Sequence, residues 1–218
     1  LTQRWRLKGV VSVPNAVSMP VVKPLSAEPT LMFLGGYYYF PNLNAANFLI
    51  EQVWPLIHQA NPDARLIMAG SHPENIRSYP AAVPGVEFTG FVEDLSALYA
   101  RSRIVCCPIL SGGGTRVKIV EAAAYGKPIV STPIGVEGLS MQDGENALIR
   151  QSPAAIAQAC LTLLNSDALC EQLGAAARCK AVRDYDRTQV IQHIQSHVQS
   201  ALLPAAPTES RLSATLQS

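Results

Sequence analysis

Five short apolar runs, four of them stopped by glycine, constrain this chain more than any other feature. Residues 31–34 end at Gly35-Gly36, residues 65–69 at Gly70-Ser71, residues 86–89 at Gly90, and residues 104–109 just before Ser111-Gly112-Gly113-Gly114. The fifth, residues 129–132, follows Gly126-Lys127-Pro128. Nearly continuous apolar runs of this length predict strands buried on both faces, as in a parallel sheet.

The segments between them carry helical signals. Asn42 can cap a helix through Ala45, Phe48, Leu49, Val53, Leu56 and Ile57, with Pro55 predicting a kink or an end near Trp54. Asp94 can cap residues 95–102, Ser152 with Pro153 opens another helix, Ser166 or Asp167 a third, and Asp186 a fourth. Strand alternating with helix predicts an α/β, Rossmann-like doubly wound parallel sheet with extra C-terminal helices. Residues 30–200 form that domain. Residues 1–29, with Pro14, Pro20, Pro24 and Pro29, are expected to be an interdomain linker, and residues 201–218 a disordered tail.

Composition agrees and excludes some functions. Hydrophobic residues make up 48% and charged residues 15%, which suits a buried sheet rather than a disordered chain. A formal net charge of +1 argues against nucleic-acid binding, which needs a clustered basic surface. Cys106, Cys107, Cys160, Cys170 and Cys179 show no metal-ligand spacing and are expected to be buried and reduced. The apolar runs are too short to span a bilayer, so a cytoplasmic protein is expected, with membrane association left open.

Ligands of open α/β sheets bind beyond the carboxyl ends of the strands, where the glycines fall. The segment from Ile104 to Gly126 is the most informative. Gly112, Gly113 and Gly114 let a ligand approach the backbone, and a helix predicted from about Thr115 turns its free amides and positive dipole end into the same space. Arg116 and Lys118 add charge there. Together these describe a phosphate or diphosphate cradle, without the lysine–serine/threonine ending of a P-loop. On that helix Val117, Ile119, Val120, Ala123 and Ala124 form an apolar arc, Lys118 and Tyr125 lie roughly opposite, and Glu121 sits at the margin. Spacing leaves two readings of Glu121 open: a carboxylate for paired ribose hydroxyls, or half of a surface Lys118–Glu121 pair contributing a few tenths of a kcal/mol.

The stretch from Gly112 to Thr132 resembles the signature of family-4 (group 1) retaining glycosyltransferases of GT-B fold, in the subgroup reading glycine–threonine–arginine–x–lysine–x–x–glutamate–alanine. Pro41-Asn42, residues 86–94, residues 134–139 and Val13-Pro14-Asn15-Ala16-Val17 are also similar to segments of that family. The resemblance covers roughly residues 10 to 185 and implies one half of a GT-B fold. It implies a nucleotide diphosphate sugar as donor, bound with its ribose on Glu121 and its sugar and diphosphate on the amides of Gly112, Gly113, Gly114 and Thr115. Phe91 and Val92 would hold the base, Gly35 and Gly36 the pocket floor, and Glu137 would reach the donor or close the loop. It implies retention at the anomeric carbon, no metal, no cofactor, and a sugar or lipid-linked acceptor bound by an N-terminal domain not contained in this sequence. Peripheral membrane contact is left open.

Two departures matter. Many relatives carry a glutamate-x7-glutamate pair, whose first position is Gly113 here, and the basic residues expected after the first strand are replaced by Gly35-Gly36-Tyr37-Tyr38-Tyr39. Arg116 and Lys118 are therefore expected to neutralise the diphosphate, with a solvated helix-start charge as the alternative for each. Tyr37, Tyr38, Tyr39 and His72 are weaker candidates, and His58, His193 and His197 are expected at the surface. Rival readings are a nucleotide-sugar epimerase of GT-B fold and a non-catalytic nucleotide- or partner-binding module.

Overall fold

The computed structural model describes residues 11–79 and 81–202. Residues 1–10 of the expected linker and 203–218 of the expected tail thus lie outside the described residues. The sheet is built on β1 (Thr30–Leu34), a run of apolar side chains with almost no exposed surface. It pairs on one side with β2 (Arg65–Ala69), which carries β3 (Val86–Gly90). On the other side it pairs with β4 (Ile104–Cys107), followed by β5 (Ile129–Ser131) and the two-residue β6 (Leu148–Ile149). All pairings are parallel and the order is β3-β2-β1-β4-β5-β6, the doubly wound arrangement expected. β6 has too few residues to show a sequence pattern, and the strand expected at 104–109 stops at Cys107.

The switch in winding direction falls between β1 and β4. Chain leaving β1 turns back over one half of the sheet and chain leaving β4 over the other, so a crevice opens beyond their carboxyl ends. Gly35-Gly36 and Ser111-Gly114 flank it.

The first crossover corrects the cap expected at Asn42. Helix α1 (Phe40–Phe48) has Tyr39 as its N-cap and Pro41 in its first turn. It continues through a π-helical turn (Leu49–Val53) into α2 (Trp54–Ala60), so Pro55 breaks nothing. Pro55 falls in the first turn of α2, where a missing N–H is tolerated, and the wider π turn makes room for its ring. His58, expected at the surface, stacks on Trp54 with ring centroids 5.4 Å apart.

Asp94 caps α3 (Leu95–Arg101) as expected, accepting from the amides of Ser96 and Ala97 at 2.9 and 3.2 Å. Helix α4 (Val117–Ala124) follows the glycine loop. Beyond β6 come α5 (Pro153–Leu164), α6 (Asp167–Tyr185) and α7 (Arg187–Leu202), opened by Ser152, Ser166 and Asp186. The described part of the expected linker runs as a strap against these helices. The amide of Val17 donates to the carbonyl of Tyr185 at 2.9 Å, and Arg187 donates back to Val17 at 3.0 Å. Four of the five cysteines are buried as expected; Cys179, on an outer face of α6, is exposed instead. Among the described residues no helix is long and apolar enough to cross a membrane.

One contact fixes α6 against the turn that enters β5. A methyl group at Gly174, in mid-helix, would come within 2.2 Å of the carbonyl oxygen of Gly126, itself held at φ +67°. Backbone faces backbone there, so neither side can swing away. Alanine normally favours a helix over glycine by about 1 kcal/mol, but Gly174→Ala is expected to destabilise the fold by about 1–3 kcal/mol through overpacking. Urea unfolding checks this; a midpoint at or above the parent's would show that the two backbones can separate.

Candidate functional site

At the switch point the first wall comes from the β1–α1 turn. The amide of Gly35 donates to the Ala69 carbonyl at 2.9 Å, and Tyr37 turns inward with its hydroxyl on the same oxygen at 3.1 Å. Tyr37 is thereby a core residue, and burial pushes its phenol far above the usual range. Tyr38 and Tyr39 stay largely exposed, with Tyr38 edge-on to His72.

Asn42 then faces the crevice from the first turn of α1. Its amide nitrogen donates to the Gly36 carbonyl at 3.0 Å, and its oxygen accepts from Lys118 Nζ at 2.7 Å. Lys118 Nζ also stands 4.6 Å from the centre of the Phe33 ring. This ammonium is turned inward, and burial lowers its pKa against the opposing pull of Cys107 and Glu121. A solvated helix-start charge is therefore not what the structure shows. A Cβ at residue 35 would sit 2.8 Å from Lys118 Nζ and 2.9 Å from the Asn42 amide, so glycine there makes room for the pair. Val117, expected in the apolar arc, is displaced outward and Ala122 is buried instead.

The opposite wall is the glycine loop. Gly112 and Gly114 adopt φ of +104° and +83°, conformations open to glycine at no steric cost. The guanidinium of Arg116 folds back beneath them, donating to the Gly112 carbonyl at 2.6 Å and to the Gly114 carbonyl. Arg116, only 8% exposed, is thus engaged by the loop itself rather than projecting freely. The loop carbonyls are occupied, whereas the amides of Gly112, Gly113, Gly114 and Thr115 have no acceptor among the described residues. The hydroxyl of Ser111 is buried there without a partner. Ser111, Gly112, Gly113, Thr115 and Arg116, though not Gly114, line a cavity of about 240 Å³ together with Tyr39, Pro41, Asn42 and Lys118. Unpaired loop amides border it, and the nearest charges, on Arg116 and Lys118, are positive: an anion is the complement.

Some expected residues lie outside this cavity. Gly35 and Gly36 stand behind Asn42 and Lys118 rather than forming its floor. Glu121 lies one turn further along α4, half-buried; burial raises its pKa while Lys118 lowers it. No ion pair joins it to Lys118 among the described residues, so the surface-pair reading is not what the structure shows. Phe91 and Val92 follow β3, two strands from the switch, with Phe91 78% exposed. Glu137 is exposed in the turns after β5. All share the carboxyl edge of the sheet. Ser111 opens the glycine stretch expected to hold the donor; Asn42 was not anticipated there, since it resembles a helix cap, and only the order of β1 and β4 brings it to Lys118. Among the described residues no cluster of three His, Cys, Asp or Glu could hold a metal ion.

Comparison with known proteins agrees with this layout. Residues 28–166 match the family model described as glycosyl transferases group 1. The chain is 28% identical over 214 residues to a phosphatidyl-myo-inositol mannosyltransferase of Mycobacterium leprae, covering 89% of this chain and 55% of that protein. It therefore spans about half the length of the curated relatives it matches. Among solved structures, Staphylococcus aureus TarM bound to fondaparinux, alpha-GlcNAc-glycerol and UDP superposes with a TM-score of 0.74 at 16% identity, over 89% of this chain and 40% of that one. Anabaena HepE in complex with UDP and glucose does so with a TM-score of 0.66 at 18% identity, over 80% of this chain and 49% of that one. These likenesses establish a Rossmann-like unit of GT-B type. The family match extends over more than half of the sequence, and the chain belongs to the group 1 glycosyl transferases.

Proposed function

We propose that this chain is the donor-binding half of a retaining glycosyltransferase that moves a sugar from a nucleotide diphosphate sugar to an acceptor hydroxyl. One observation carries the proposal: Gly112, Gly113 and Thr115, with unpaired amides on a loop clamped by Arg116, line a cavity that Lys118 also lines. A diphosphate is dianionic or more, and such a seat satisfies amides and cation together. The UDP bound in the TarM and HepE structures supports a nucleotide diphosphate as the ligand class.

In this reading each group has its own share of the chemistry. As the bond from the anomeric carbon to the diphosphate breaks, negative charge grows on the departing oxygen. Fixed amides and Lys118 meet that charge without reorganising, which is the strongest form of electrostatic catalysis. Arg116 acts one step removed, by holding the loop carbonyls away from the anion and adding positive charge beneath it. Glu121, half-buried and unpaired with Lys118, is placed along the same edge to accept from the ribose hydroxyls. Phe91 and Val92 would meet the base, and Glu137 the sugar end, once a donor spans the edge. The acceptor and the rest of the cleft would come from a partner domain, since the chain spans about half of its curated relatives. Donor binding without robust transfer is the expected behaviour of the 218-residue chain. Efficient sugar transfer by it alone would overturn that assignment.

Lys118→Met is expected to weaken binding of UDP-, GDP- or ADP-sugars by roughly 10- to 100-fold, the loss of one charge-assisted hydrogen bond of about 1.5–3 kcal/mol. Glu121→Ala should cost about tenfold through the ribose. Calorimetric titration measures both. Binding by no nucleotide would favour a partner-binding module, and binding indifferent to Glu121 would remove it from the site.

The pH dependence has a definite sign. Burial lowers the Lys118 pKa in the free protein, and a bound diphosphate would raise it again. Affinity should therefore be highest where Lys118 is charged in both states and fall as pH rises through its lowered pKa, with proton uptake on binding in that window. The slope should vanish in Lys118→Met. An unchanged slope there would assign the titration to another group.

A further inference from the structure

At the other edge of the sheet, where chain enters β5, a cavity of about 430 Å³ opens between the strap, the Gly126-Lys127 turn and α6. Its wall mixes apolar side chains, Val22 and Leu25 among them, with the cations Lys23, Lys127 and Arg178. Lys127 decides what the cavity can take. As a whole residue it is 2% exposed; its ammonium lies at the cavity wall, with no hydrogen bond or ion pair among the described residues. The sulfur beside it cannot serve as counter-ion. Burial pushes the Cys170 thiol up, and it donates to the Leu163 carbonyl at 3.0 Å. The carboxylate on the wall, Glu171, is exposed and joins none of the three cations. Arg178 is held by the carbonyls of Ala124 and Pro20, the latter at 3.0 Å, so its guanidinium is fixed beside the opening with its charge unneutralised.

An ammonium held largely among apolar groups without an acceptor is costly, and an anion entering the cavity would pair with it. The backbone contact of Gly174 with Gly126 holds the two sides of the cavity at a fixed separation, so the space does not depend on a mobile side chain. We propose that this cavity is a second binding site, separate from the glycine loop, for a small amphiphilic anion: a carboxylate or phosphate ester whose headgroup pairs with Lys127 and whose apolar body lies against Val22 and Leu25. Bound there, it would bridge the strap to α6 and the turn into β5.

Octanoate and octyl phosphate probe the two headgroups, with octyl glucoside and inorganic phosphate separating charge from apolar body. Cys179 lines the same cavity and is the exposed thiol among the five, so its alkylation by iodoacetamide reports occupancy without any substitution. The proposal expects octanoate or octyl phosphate, below its micellar concentration, to slow Cys179 alkylation severalfold. Whichever of the two does so identifies the headgroup. Lys127→Met should weaken calorimetric binding of that probe by about tenfold or more, as loss of a buried charged partner requires, and Lys23→Ala, at an exposed position, by a smaller factor. Protection by neither anion, equal protection by octyl glucoside, or undiminished binding to Lys127→Met would overturn the site. Equal protection by inorganic phosphate alone would overturn its apolar half.

Discussion

The contact between Lys118 and Asn42 ties the two windings of the sheet together at the point where they diverge. Lys118 belongs to the helix that follows β4, and Asn42 to the helix that follows β1. Their hydrogen bond spans the crevice floor, with the Phe33 ring behind it and Gly35 leaving space for both. A lysine in that position meets a neutral acceptor and an aromatic face, each worth at most about 2–3 kcal/mol. The cost of removing an ammonium from water is several kcal/mol. On the proposed reading, an anion in the cavity would add the charge partner that these two neutral groups do not supply.

The glycine loop solves the matching problem for the backbone. A loop that presents amides to a ligand must put its carbonyls somewhere, and buried carbonyls need donors. Arg116 supplies a planar fork that reaches two of them at once. The loop can then hold two residues at positive φ and keep its amides free without collapsing into a turn of its own. A lysine at 116 would reach one carbonyl as a point donor and leave the other to compete for the amides.

Much of this was legible in the sequence. Continuous apolar runs ending in glycine gave the parallel sheet, because a strand buried on both faces admits no polar alternation. Ser152, Ser166 and Asp94 were legible as caps because a cap acts within three residues of itself. Asn42 looked the same locally but is not a cap: its oxygen is taken by a lysine 76 residues away, and no local pattern encodes that pairing. Lys118 was a candidate from the sequence, but its inward turn was not legible, for a related reason. Helical periodicity assigned it to the outer face, yet its side chain is long enough to reach back over Phe33 once a neutral acceptor waits there, and Val117 is rotated out in exchange. β6 was missed because two residues carry no periodicity, and the π turn because accommodating Pro55 inside a continuous rod is a property of backbone geometry rather than of residue type.

The two buried lysines obey one rule with different outcomes. Both lie on or just after α4, and burial lowers the pKa of both. Lys118 has an acceptor in Asn42 and free amides beside it, so a polyanion spread over several donors suits it. Lys127 has a neutral thiol and an apolar wall, so a compact headgroup with an apolar body suits it better. On the two proposals, the same short helix would have sites of different character before and after it, one toward each edge of the sheet.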